Sequence, residues 1–111
     1  MRIEERKAAI SAYKERKAIV GIYRVRCLAS GQAWVGHAPD LGTIRNRVWF
    51  MLRHGGHRDA TLQEAWRSHG EAQFAFDALE RCDEDQLAAG RERVLKARRA
   101  HWCAELGAAP L

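Results

Sequence analysis

Residues 19–36, IVGIYRVRCLASGQAWVG, have the pattern of a β-hairpin. Tyr23, Val25 and Cys27 alternate with two arginines, which is the period of two expected for a strand that is buried on one face. The small and polar residues at 29–32 include a glycine, which is free to adopt the positive φ of a tight turn. The apolar residues at 33–36 predict the returning strand, so the chain folds back on itself here.

Helices are predicted on either side of this hairpin. Residues 3–17 are rich in good helix formers, and residues 41–53 place apolar side chains along one stripe at helical spacing. Asp40 precedes the second of these helices and can cap its free backbone N–H groups. A shorter helix is expected over residues 61–69, with Thr61 in the capping position of a capping box.

The second half of the chain predicts one more strand and a long helix. Residues 74–79 are mostly apolar and predict a third strand, with Glu80 at its exit. Residues 84–106 place an apolar stripe at helical spacing, interrupted by Gly90, where the helix can kink. The expected fold class is α/β (more narrowly α+β), with a small, three-stranded, mainly antiparallel sheet flanked by helices.

The composition is that of a single globular domain. The chain has 111 residues, of which 47% are hydrophobic and 30% are charged, and these proportions argue against a disordered or fibrous chain. Three widely spaced cysteines form no CxxC pair, so neither a disulfide framework nor a thiolate zinc site is expected. No apolar run approaches the ~18–20 residues that span a bilayer, and the charged first residues lack the apolar core of a secretory signal. We therefore expect a cytoplasmic, bacterial-style protein that contacts no membrane.

The net charge of +5 is concentrated in one part of the sequence. Asp40 is the only acid among residues 24–58, which contain six arginines: Arg24, Arg26, Arg45, Arg47, Arg53 and Arg58. Arginine suits bidentate contact with phosphate groups, so this segment predicts a nucleic-acid surface. The alternative is a scattered surface on which acids from elsewhere in the chain lie close to these arginines.

Several single residues could carry chemistry. His37, His54 and His57 lie in the same basic segment, where a histidine suits phosphate contact or proton transfer near neutral pH. Glu80 follows an apolar strand, so its carboxylate needs a cation, which could be Mg²⁺ or a neighbouring arginine. Tyr23, in the first strand, is by base rate more often a core residue than a catalytic one.

Together these residues resemble the GIY-YIG nuclease family. Gly21-Ile22-Tyr23 matches the first signature of the family, and Trp34-Val35-Gly36 occupies the second, with tryptophan in place of the usual tyrosine. Residues 55–80, GGHRDATLQEAWRSHGEAQFAFDALE, resemble the corresponding segment of phage homing endonucleases. The resemblance covers residues 21–106. It divides the chain into an N-terminal helical extension over residues 1–18 and a nuclease domain over residues 19–107.

The resemblance implies metal-assisted hydrolysis of DNA phosphodiester bonds and assigns catalytic roles. Tyr23 matches the tyrosine that contacts or activates the attacking water. Arg47 best matches the arginine that stabilises charge on the phosphate, and Arg45 remains a competitor for that role. His57 matches the histidine of the GxH motif. His37 stands where the excision-repair incision nuclease usually has lysine.

The resemblance also implies a cofactor and a partner. Glu80 matches the glutamate that binds a single divalent ion, Mg²⁺ or Mn²⁺. The remaining arginines of the basic segment are expected to contact DNA: Arg24, Arg26, Arg45, Arg53 and Arg58. Because no second domain follows in this sequence, target specificity is expected to come from a homodimer or from a partner protein, or to be absent.

Trp34 in the second signature leaves two functions open. An indole N–H is a hydrogen-bond donor only and cannot act as an acid or base. If Tyr23 or His37 covers the role of the missing tyrosine, the chain is a stand-alone, metal-dependent DNA endonuclease. If the second tyrosine is indispensable, the chain is a catalytically impaired DNA-binding module of the same fold.

Overall fold

The structure is a computed structural model and describes residues 18–111. The helix predicted over residues 3–17, and with it nearly all of the extension drawn over residues 1–18, lies outside the described residues. In chain order the elements are β1 (Gly21–Cys27), β2 (Ala33–Ala38), α1 (Leu41–Arg53), α2 (Ala60–His69), a 3₁₀ turn (Glu71–Gln73), β3 (Phe74–Arg81), α3 (Glu84–Leu87), α4 (Arg91–Leu106) and β4 (Ala109–Pro110).

The sheet has four strands in the order β3-β1-β2-β4 and is mixed. The β1 strand pairs antiparallel with both β2 and β3, whereas β4 pairs parallel with β2. The prediction of three mainly antiparallel strands is therefore incomplete. The fourth strand has two residues, which is too short for any alternation of side chains to reveal it. It is held by pairing to β2, and the Leu111 N–H donates to the Val35 carbonyl at 2.8 Å.

Two apolar layers cover the two faces of the sheet. On one face, Tyr23 packs in a cluster with residues of α1 and α2, including Val48 and Leu62. On the other face, Ile22 packs in a cluster with Leu95 of α4. Successive side chains of a strand point to opposite faces, which is why these neighbouring β1 residues belong to different layers.

The helix boundaries confirm part of the prediction and correct the rest. Asp40 caps α1 by accepting a hydrogen bond from the N–H of Gly42. The prediction that Thr61 caps α2 is wrong, because Asp59 lies two residues earlier and accepts from the Leu62 N–H at 3.0 Å. The helix predicted over residues 84–106 is two helices, since Gly90 adopts a φ of +124° that cannot continue a helix.

The third strand runs two residues further than predicted, through Glu80 to Arg81. Glu80 pairs with Ile22 of β1, and a bulge follows between Ile22 and Tyr23. Gly21 is required beside this bulge, because a Cβ there would lie 2.1 Å from the Glu80 carbonyl oxygen. Glu80 therefore belongs to the sheet itself rather than to a loop at its edge.

Within residues 18–111, no helix combines the length and the apolar character that a bilayer crossing requires.

Candidate functional site

A cleft of about 280 Å³ opens at one end of the β1–β2 hairpin. It is bounded by both strands, by α1, and by the loop that joins α1 to α2. Its polar lining residues are Tyr23, His37, Arg47, His57 and Arg58. The four residues predicted to be catalytic thus lie around one cavity, although they span 35 positions of the sequence.

Tyr23 is fixed in the floor of this cleft by its neighbours on the sheet. Its ring stacks on Phe76 at a centroid distance of 5.4 Å, and only 6% of the residue is exposed. Gly36 lies opposite Tyr23 in the strand pairing. A Cβ at Gly36 would lie 2.7 Å from the hydroxyl oxygen of Tyr23, so the glycine of the second signature makes room for this phenol.

The Tyr23 phenol is a hydrogen-bond donor at neutral pH. Burial raises the pKa of Tyr23, and the positive charges of Arg58 and Arg99 only partly oppose that effect. The phenol therefore keeps its proton well above pH 7. A neutral O–H that is held among cations can donate to an anionic oxygen.

His57 is held by a chain of hydrogen bonds that begins in α1. Its backbone N–H donates to the Gln63 side-chain oxygen at 3.0 Å, and the Gln63 amide donates to the Leu52 carbonyl at 3.0 Å. The Asp59 backbone N–H donates to His57 Nδ1 at 3.0 Å. In the neutral ring the proton consequently lies on Nε2.

Burial lowers the pKa of His57, so the neutral ring predominates at pH 7. Gln63, 5% exposed, fixes the loop and was not singled out from the sequence. The only sequence signal for it was its place in the LQ pair, six residues after His57.

The structure distinguishes the two arginines that competed for one role. Arg47 lines the cleft. The Arg45 guanidinium instead lies over the Trp49 ring, 5.4 Å from its centroid. Residues two positions apart on a helix point in different directions, so only one of them can face the cleft.

Three of the predicted DNA-binding arginines are paired with acids from distant parts of the chain. Arg24 and Arg26 both contact the Asp77 carboxylate, at 2.9 and 3.1 Å. Arg53 forms two hydrogen bonds with Glu71, at 2.6 and 2.8 Å. These three arginines therefore lie on a surface of mixed charge, which is the alternative that the sequence left open. Arg58 differs, because it lines the cleft.

Glu80 does not reach this cleft. Its carboxylate accepts hydrogen bonds from Arg98 at 2.7 and 2.9 Å, from Trp102 Nε1 at 2.9 Å and from Gln86 at 3.2 Å. All three donors belong to α3 and α4, on the sheet face opposite Tyr23. The Arg98 guanidinium lowers the pKa of Glu80 to about 2, so the group is a carboxylate committed to protein donors.

The residues present do not fit the divalent ion that the resemblance implies. Mg²⁺ takes oxygen ligands, of which carboxylates are the usual protein source, and no Asp or Glu is among the residues that line the cleft. Within the described part of the chain, no three His, Cys, Asp or Glu side chains are grouped as a metal site requires. The carboxylate chosen from the sequence already accepts from three protein donors on the other face of the sheet.

Trp34 also lies away from the cleft. The residue is 2% exposed, and its ring is stacked with that of Phe74 at a centroid distance of 6.4 Å. Its Nε1 donates to the Thr61 hydroxyl at 2.9 Å. The tryptophan of the second signature is thus a core residue that joins β2 to α2.

A further arginine, not singled out from the sequence, extends from α4 to a residue that lines the cleft. Arg99 donates to the Leu111 backbone oxygen at 2.8 Å, and Leu111 lines the cleft. Burial lowers the pKa of His37, and the charges of Arg99 and Arg58 lower it further, whereas Glu92 opposes them. The cleft therefore combines positive charge with neutral hydrogen-bond donors.

Comparisons with known proteins identify the fold. No model of a protein family matches this sequence, and no curated protein matches it. Among solved structures, a mutant catalytic domain of the intron endonuclease I-TevI is similar, with a TM-score of 0.64 and 25% identity over 80% of this chain and 84% of that chain. A second structure, the catalytic domain of the homing endonuclease I-TevI, has a TM-score of 0.66 and 23% identity, over 83% and 97% of the two chains. The resemblance to the GIY-YIG nuclease fold is confirmed.

Proposed function

We propose that this chain, folded like a GIY-YIG nuclease, binds DNA by holding a backbone phosphodiester in the cleft around Tyr23. One observation carries the proposal: each polar side chain that lines the cleft is either an arginine or a neutral hydrogen-bond donor. The similarity to an endonuclease catalytic domain supports nucleic acid as the source of the anion.

The residue types match the chemistry of a phosphodiester. Its two free oxygens share one negative charge, and arginine can donate to both in parallel. Arg47 and Arg58 supply the charge in the cleft, while the Tyr23 hydroxyl and the His57 Nε2–H supply directed donors. Contacts of this kind fix the position of the backbone and do not read the bases. Binding should therefore depend strongly on salt and weakly on sequence.

The test is a binding titration followed by the anisotropy of labelled single-stranded and duplex DNA at low salt. We expect the Arg47→Gln/Arg58→Gln double variant to lose about tenfold or more in affinity, because each lost phosphate contact removes favourable counterion release. Arg45→Gln is the matched control, since Arg45 lies over Trp49 on the same helix. Absence of binding by the parent protein, or equal affinity of the parent and the double variant, would overturn the proposal.

A second candidate is hydrolysis of the bound strand, as a stand-alone DNA endonuclease. It is favoured by the catalytic domains among the similar structures and by the position of the Tyr23 hydroxyl beside two arginines. Incubation with supercoiled plasmid and with branched DNA, in Mg²⁺, in Mn²⁺ and in EDTA, separates the two functions. Nicking that Tyr23→Phe abolishes would establish the nuclease. Salt-sensitive binding without nicking in any of these buffers would establish the binding module.

Target choice requires more than this cleft. Because phosphate contacts carry no sequence preference, a defined DNA target would need contacts from outside the cleft, and a second copy of this chain or a partner protein could supply them. Light scattering of the chain alone and with DNA distinguishes these two sources.

A further inference from the structure

We infer that the cleft binds a phosphodiester without a divalent cation, because Arg99 of α4 supplies a third guanidinium beside Tyr23. The inference deepens the proposed function and rests on it. It starts from the mismatch between the cleft and a metal site: arginines and neutral donors line it, and Glu80 is engaged elsewhere.

The geometry brings Arg99 to the cleft around the edge of the sheet. Leu111 follows β4, its backbone N–H donates to Val35 of β2, and its side chain packs against the core on the Tyr23 side. The half-buried Arg99 donates to the backbone oxygen of the same residue at 2.8 Å. One of the five N–H donors of the guanidinium is used in this way, so the group is held in place with donors left for a ligand.

The charge of Arg99 acts on the groups that would contact the ligand. It lowers the pKa of both Tyr23 and His37, and Arg58 acts on the same two groups. Arg58 lies in the loop that lines the cleft, whereas Arg99 acts on the same two groups from α4. Glu92 is the acid whose charge reaches His37, and it opposes the arginines there without lining the cleft.

Arg98 and Arg99 are neighbours on α4 and have different partners. Successive helical residues point about 100° apart. Arg98 donates to Glu80 on the α4 face, and Arg99 donates to the backbone oxygen of Leu111, which lines the cleft. A divalent cation in the cleft would meet the guanidiniums of Arg47 and Arg58, with Arg99 nearby, and no Asp or Glu side chain among the lining residues, whereas an anionic oxygen would be attracted by all three charges.

The experiment compares DNA binding by the parent protein in EDTA and in Mg²⁺ at matched ionic strength, using the labelled DNA above. We expect affinity in EDTA at least as high as in Mg²⁺, because binding needs no divalent ion and Mg²⁺ competes with the arginines for phosphates. Arg99→Gln should weaken binding by about fivefold to tenfold and reduce the slope of log K against log salt by about one, as the loss of one phosphate contact does. Arg93→Gln is the matched control, because its guanidinium belongs to the same helix and donates to Ala89.

A second measurement separates charge from structure. The His37 pKa, followed by NMR titration, should rise in Arg99→Gln and remain near the parent value in Arg99→Lys, because lysine keeps the charge. Binding that EDTA abolishes, or an Arg99→Gln variant with the affinity and salt slope of the parent, would overturn the inference and leave the proposed function standing. A parent protein that binds no DNA in either buffer would overturn the proposed function itself.

Discussion

The carboxylate of Glu80 could serve either as a metal ligand or as the partner of an arginine. From the sequence, Glu80 needed a cation, and both a metal ion and an arginine would satisfy it. In the structure its two oxygens accept hydrogen bonds from Arg98, Trp102 and Gln86, which joins β3 to α3 and α4. At this position the carboxylate stabilises the packing of α4 on the sheet.

Glu80→Gln should lower the free energy of unfolding by about 1–3 kcal/mol at pH 7, the usual range for hydrogen bonds to a charged group. The folded-state pKa of about 2 lies below the unfolded value of 4.5, so the stabilisation is complete above pH 4.5 and disappears as the pH falls towards 2. Urea denaturation at a series of pH values measures this. The variant should lose the part of the acid dependence that falls between these two values.

The same variant tests whether Glu80 acts in the cleft. DNA affinity at pH 7 should remain that of the parent protein, because the carboxylate lies on the other face of the sheet. A variant of unchanged stability whose DNA cleavage or binding is lost would contradict the structural role described here.

At the scale of elements, the cleft depends on how α1, α2 and the loop between them are joined. Gln63 of α2 accepts from the backbone of His57 and donates to Leu52 of α1. One buried amide therefore fixes both helices and the loop that carries His57 and Arg58. Gln63 of the LQ pair follows His57 of the GxH motif by six residues, and this spacing lets the Gln63 side chain accept from the His57 backbone N–H.

Gln63→Met, which keeps the length of the side chain, should destabilise the fold by about 1–3 kcal/mol, because it leaves a buried N–H and a carbonyl unpaired. It should also weaken DNA binding, because the His57 loop is released. Denaturation and anisotropy measure the two effects. Glu64→Gln is the control on the exposed side of α2. Full DNA affinity in a destabilised Gln63→Met protein would show that the loop does not need this anchor.

At the scale of the molecule, the arginines of the basic segment fall into two groups. Arg24 and Arg26 share the Asp77 carboxylate, whereas Arg47 and Arg58 line the cleft with no acid among its lining residues. Net charge alone would treat all of these arginines alike. The tertiary pairing separates those that are neutralised from those that can attract a polyanion.

The salt dependence of DNA binding should follow this division. We expect Arg24→Gln/Arg26→Gln to leave the slope of log K against log salt unchanged, while Arg47→Gln reduces it by about one. Anisotropy titrations over a range of salt concentrations measure the slopes. A reduction of about two for the Arg24/Arg26 variant would mean that both side chains leave Asp77 and contact phosphates.

The amino-acid sequence by itself determined the hairpin, the third strand and the first capped helix, and the ordered motifs of the family resemblance predicted that Tyr23, Arg47, His57 and His37 share one site. These features follow from local periodicity, turn chemistry and ordered motifs, all of which act over short stretches of chain. The tertiary structure decided the fourth strand, the partners of Glu80, the pairing of Arg24 with Asp77 and the contact between Arg99 and Leu111. Each of these depends on contacts between distant segments. Strand register and helix orientation select which charges meet, and the local sequence pattern predicts neither the register nor the orientation.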